Sequence, residues 1–123
     1  MTVSRPFRFS GLNAAFRRRA DERRSLATRL ALRALRDLEE RGIHAWIVGS
    51  LAKGSFSPHS DVDFVVDCPV EEEYQAFRTI EKAMGAFPFH LIPRSRIVAD
   101  ALPLLMEGAL DASGLVTRET QVR

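Results

Sequence analysis

Apolar residues return every three or four positions through Leu26, Leu30, Ala34 or Leu35, and Leu38, while Arg29, Arg33, Arg36 and Glu40 fall elsewhere on the wheel. That period predicts an amphipathic helix, running from about Asn13, a good N-cap, to Arg41, with Gly42 as its stop. The period then shortens. Ile43 to Val48 reads as one strand, and Val62, Phe64, Val65 and Val66 as a second, ended by Cys68-Pro69. Between them Gly49 to Ser60 is small and polar, broken by Gly54 and Pro58, with room for one helical turn at most. Helical spacing resumes over Glu71 to Met84, where Tyr74, Phe77, Ile80 and Met84 mark the expected core face. Phe87, Phe89, Leu91 and Ile92 predict a third strand at the sheet edge, because Pro88 and Pro93 flank it. Ile97 to Leu110 reads as a last helix, kinked at Pro103 or holding it in the first turn. Residues 1–12 read as a loosely ordered arm and 115–123 as a frayed tail.

This order predicts an α/β (α+β) domain, one small mixed sheet flanked by helices. With 123 residues it is expected to be a single domain with one modest core. No apolar run approaches the roughly 20 residues that span a bilayer, and the N-terminus lacks a secretory pattern. The single cysteine, Cys68, allows no internal disulfide, so a cytoplasmic location is expected. Charge is uneven: residues 1–41 hold eleven Arg against five acids, and the rest seven basic residues against eleven acids. The basic first third suits an acidic protein surface or nucleic acid, or is simply a solvated face. No aromatic residues interleave with Arg17-Arg18-Arg19 and Arg23-Arg24 as a base-stacking surface would need. Glu71-Glu72-Glu73 complements a helix start rather than making a metal site.

The chemical information sits in Gly49-Ser50 and Asp61-Val62-Asp63. Residues two apart on a strand point to one face, so Asp61 and Asp63 project together while Val62 and Phe64 enter the core. Paired carboxylates ask for a cation between them. Mg²⁺ suits them, since it takes one or two carboxylates and completes its shell with substrate phosphates. Glycine after a buried strand lets the backbone approach a ligand, and the amides and hydroxyl at Ser50 suit phosphate oxygens. Lys53 adds positive charge three residues on. His59 and Phe56, in the same turn, either touch a nucleotide or stay a solvated residue and a core plug.

The run Val48-Gly49-Ser50-Leu51-Ala52-Lys53-Gly54 … Ser60-Asp61-Val62-Asp63-Phe64-Val65-Val66 resembles the signature of the minimal nucleotidyltransferases of the polymerase-β-like superfamily, with Lys53 where an arginine is usual. The spacing between Gly49-Ser50 and Asp61 is similar to that of the MntA-type antitoxins, which pair with HEPN-domain toxins. Glu107-Gly108-Ala109-Leu110 resembles the family's closing segment. The resemblance covers about residues 26–110 and implies a polymerase-β-like nucleotidyltransferase fold. It assigns Gly49, Ser50, Lys53 and Ser60 to nucleotide binding, and Asp61 and Asp63 to Mg²⁺ and catalysis.

The implied reaction moves AMP from ATP onto a hydroxyl, in the antitoxin branch a tyrosine of the HEPN toxin. The alternatives are a module that neutralises its partner by occlusion and a transferase acting on a small molecule or tRNA. The family often places a third acid on the strand after the central helix. Here His90 stands there. Either His90 serves as base or ligand, or Glu107 or Asp100 supplies the carboxylate, or catalysis is weakened.

Overall fold

The computed structural model describes residues 4–121. In order these form helix α1 (Ser4–Glu40), strand β1 (His44–Val48), the single-turn helix α2 (Gly49–Lys53), strand β2 (Val62–Asp67), helix α3 (Glu73–Met84), strand β3 (Phe89–Pro93), the short helix α4 (Leu102–Leu105) and helix α5 (Ala112–Gln121). Short 3-10 turns at Val70–Glu72 and Arg94–Arg96 lead into α3 and out of β3. The sheet has the order β1-β2-β3, antiparallel between β1 and β2 and parallel between β2 and β3. It is the small mixed sheet expected, with β3 at the edge. On the other side of β1, Ile47 and Leu110 exchange two backbone hydrogen bonds of 2.8 and 3.0 Å.

Val62, Phe64 and Val66 bury one face of β2 in the main cluster, against Ala27, Ala31, Ala34, Leu35 and Leu38 of α1 and Ala76, Ile80, Ala83 and Met84 of α3. Alanines on both helices keep the side chains between them short, so the axes can approach closely. The core face of α3 is therefore not the one its large residues suggest. Ile80 and Met84 are buried, but Tyr74 is 72% exposed and Phe77 40% exposed. In α1 the buried stripe likewise passes through Ala27 and Ala31, leaving Leu26 exposed.

Three boundaries differ from the sequence reading. Helix α1 begins at Ser4 rather than Asn13, so positions 4–12 continue the helix instead of forming an arm. Pro6 falls in its first turn, where the missing N–H has no partner to lose, and Gly11 costs only about 1 kcal/mol. Residues 1–3 of the expected arm lie outside the described residues. The long last helix expected over 97–110 is instead irregular chain at 97–101, the four-residue α4 with Pro103 in its first turn, and a turn at Gly108, where φ is +75°. The expected frayed tail is helix α5. Leu115 is fully buried in the core, and Arg118 donates from Nη1 to the carbonyls of Leu51 and Ala52, each at 2.9 Å. Residues 122 and 123 lie outside the described residues. Among the described residues no helix is long and apolar enough to cross a membrane.

Cys68 is half-buried against the core, and burial pushes its thiol up, assisted by the nearby Glu72 and Glu73 carboxylates.

Because Leu115 is buried rather than frayed, Leu115→Ala is expected to destabilise the fold by about 3 kcal/mol, read as a lower midpoint in urea unfolding. A midpoint equal to that of the parent chain would mean α5 is not docked.

Candidate active site

β1 ends at Val48, which pairs with Asp63 of β2. The chain must turn at the next residue, directly above that partner. Gly49 does so with φ at +73°, and a Cβ built there would lie 2.7 Å from Asp63 Oδ2. Any side chain would meet both a left-handed backbone and a carboxylate oxygen. The turn and the acid are thus as close as two pieces of chain can be. No side chain caps the start of α2, so its first amides have no side-chain acceptor. Ser50 is half-buried, and its carbonyl accepts from Ser55 N at 2.9 Å and from the Gly54 amide.

Asp61 and Asp63 turn to the same neighbour, although Asp61 stands just before β2 and not within the strand the spacing predicted. Both reach the ring of His90, whose Nδ1 lies 2.9 Å from Asp63 Oδ1 and whose Nε2 lies 3.9 Å from Asp61 Oδ2. The parallel register places His90 opposite Asp63. The carboxylates are 36% and 32% exposed and His90 is 65% exposed. No arginine neutralises either acid: their ion-pair partner is His90 alone among the described residues. Asp100 and Glu107 are exposed on the segment after β3, and the place of the expected third acid is held by His90.

The remaining residues divide. Lys53 is exposed in the last turn of α2, its stem beside Gly108. Ser60 organises its own loop: its Oγ accepts from Ser57 N at 2.9 Å and lies 3.1 Å from Ser57 Oγ, while its carbonyl accepts from Arg23. Phe56 is buried and stacks on Phe87 at a centroid distance of 6.2 Å, so it plugs the core. His59 is exposed, its amide bound to Ser57 Oγ. Two residues without a motif, Arg23 and Arg118, tie flanking helices to the site's backbone. Contacts spanning 37 and 66 residues leave no local signal in sequence.

The nucleotidyltransferase domain model matches residues 29–111, two-thirds of the chain and the whole of this site. The chain belongs to the nucleotidyltransferase domain family. No curated protein matches it. Membership gives the general chemistry, nucleotidyl transfer, in a family that generally uses Mg²⁺ and a nucleoside triphosphate.

The donor set fits such a metal. Two hard carboxylates reach the same exposed imidazole, and one of them, Asp63, also lies against a turn whose amides suit phosphate. Among the described residues no three His, Cys, Asp or Glu groups form a ready-made metal cage. Mg²⁺ rarely uses one, since waters and substrate phosphates complete its shell.

Gly49→Ala is expected to weaken nucleotide binding about tenfold or more, because moving the turn off Asp63 costs at least the 1–3 kcal/mol typical of a strained backbone. Isothermal titration with an ATP analogue reads the loss, and unchanged affinity would show that the close approach does not matter.

Proposed function

We propose that this chain transfers AMP from ATP onto a hydroxyl of a partner protein, a tyrosine of a HEPN-type toxin, and so acts as its antitoxin in the cytoplasm. The observation that carries the transferase reading is the approach of Gly49 to Asp63, with Asp61 turned to the same imidazole as Asp63. Family membership supports the reaction class. The finer reading is supported by the resemblance of the Gly49-Ser50 to Asp61 spacing to the antitoxin branch.

In this reading the Gly49 and Ser50 amides and the Ser50 hydroxyl bind phosphate oxygens, orienting the leaving pyrophosphate. Lys53, at the end of α2, offsets triphosphate charge. Asp61 and Asp63 hold Mg²⁺, which when bound supplies charge neutralisation at the reacting phosphate. The acceptor oxygen bonds to the α-phosphorus, the bond to pyrophosphate breaks, and the hydroxyl proton passes to solvent. Ser60 shapes the loop through its contacts with Ser57 and stands beside Asp61, within the set assigned to the nucleotide.

One observation favours a second reading. The imidazole of His90 lies across both carboxylates where a third acid is usual. A chain that keeps it there would neutralise a partner by occlusion, without turnover.

Incubation of the purified pair with α-labelled ATP separates the readings. Label is expected on the partner, and Asp61→Ala with Asp63→Ala is expected to reduce it to background and to release toxin activity. Full inhibition by the double variant, with no label from the parent chain, would replace transfer by occlusion. Mass spectrometry of the partner gives the acceptor residue and the number of units added.

A further inference from the structure

Asp61 and Asp63 are not held alike. Asp63 belongs to β2 and is paired on both sides, with Val48 and with His90. Asp61 precedes the strand, which begins at Val62. Its backbone therefore depends on the loop behind it, and that loop is fastened by Arg23.

Arg23 stands on α1, 37 residues before Ser60, and its guanidinium donates to the Ser60 carbonyl from Nε at 3.3 Å and Nη2 at 2.9 Å. The same group lies over the Phe87 ring, 4.2 Å from its centroid, and Phe87 stacks on Phe56. One side chain thus joins α1, the loop entering β2 and the loop entering β3. The carbonyl it grips belongs to the peptide plane that leads directly into Asp61. Within the loop, Ser57 meets Ser60 Oγ through both its amide and its hydroxyl, so Ser60 does not shift alone. Hydrogen bonds from a permanent charge, reinforced by the ring beneath it, form a firm hold.

We propose that Arg23 is a positioning residue for Asp61: by fixing the peptide plane before it, Arg23 sets where that carboxylate stands relative to Asp63 and the Gly49 turn. It acts through the backbone and touches no substrate. This inference rests on the reading of the two acids as a metal pair.

The test is Mn²⁺ binding to the whole protein, followed by electron paramagnetic resonance, beside binding of a non-hydrolysable ATP analogue in EDTA. Arg23→Gln is expected to lower Mn²⁺ affinity about tenfold, the scale for losing a residue that orients a ligand, while metal-free nucleotide affinity stays unchanged. Arg23→Lys, which keeps charge over Phe87 and one donor, should recover part of the affinity. Saturating Mn²⁺ should restore label transfer to Arg23→Gln.

A merely structural role would lower both affinities together and leave transfer low at every metal concentration, and that result overturns the proposal. Should Arg23→Gln fail to fold, Phe87→Leu, which removes the ring beneath the guanidinium but keeps apolar bulk, must shift Mn²⁺ affinity in the same direction by a smaller factor. No shift there overturns the proposal too. A parent chain that binds no Mn²⁺ sinks the metal-pair reading itself, whereas Mn²⁺ binding with an indifferent Arg23→Gln sinks only the positioning role.

Discussion

The pairing of Val48 with Asp63 is the contact on which this site depends, because it places the last residue of one strand against the acid of the next. A chain leaving β1 there must bend above that carboxylate, and the space allows no side chain at the bend. Register in an antiparallel pair is set by which faces must be buried, and a slip of one residue would turn every side chain over. Val62, Phe64 and Val66, all in the core, hold that register. The same alternation that buries them presents Asp63 to the opposite face. Core packing and site geometry are therefore one constraint, and a change that loosens the first displaces the second.

The site has a firm frame and a loose cover. Its backbone is gripped from two sides, by Arg118 at the carbonyls of α2 and by Arg23 at the carbonyl of Ser60. Both grips come from permanently charged groups that are partly buried, so they are stronger than ordinary surface contacts. The contact between His90 and the acids is different, since all three side chains are open to water and such pairs contribute about 0–1 kcal/mol. In the proposed reading, a cation arriving with its phosphates would meet two carboxylates already placed and an imidazole that costs little to displace.

The helices outside the family match add to this arrangement. α1 begins well before residue 29 and brings Arg23 to the loop, and α5 continues past residue 111 and brings Arg118 to α2. Leu115 seals α5 to the core, which gives Arg118 a fixed base. Flanking segments that carry no motif thus serve the motif by holding its backbone still, which is what a reaction that proceeds mainly by positioning requires.

Much of this was written locally. A strand followed by Gly-Ser, a polar turn, and Asp-Val-Asp entering an apolar run mark the two acids locally, and the structure brings both to His90, with Asp63 inside β2 and Asp61 just before it. The three strands, the single turn of α2 and the edge position of β3 follow from equally local signals. The choice among competing faces does not. On α3 the large residues Tyr74 and Phe77 suggested the core, yet small residues on α1 let Ala76 and Ala83 win the interface. The polar tail became a docked helix because one leucine and one arginine found partners far back in the chain. Arg23 at Ser60, Arg118 at α2 and His90 across both acids are likewise meetings between distant segments. Periodicity and propensity act over a few residues, whereas these contacts exist only once the helices have closed on the sheet.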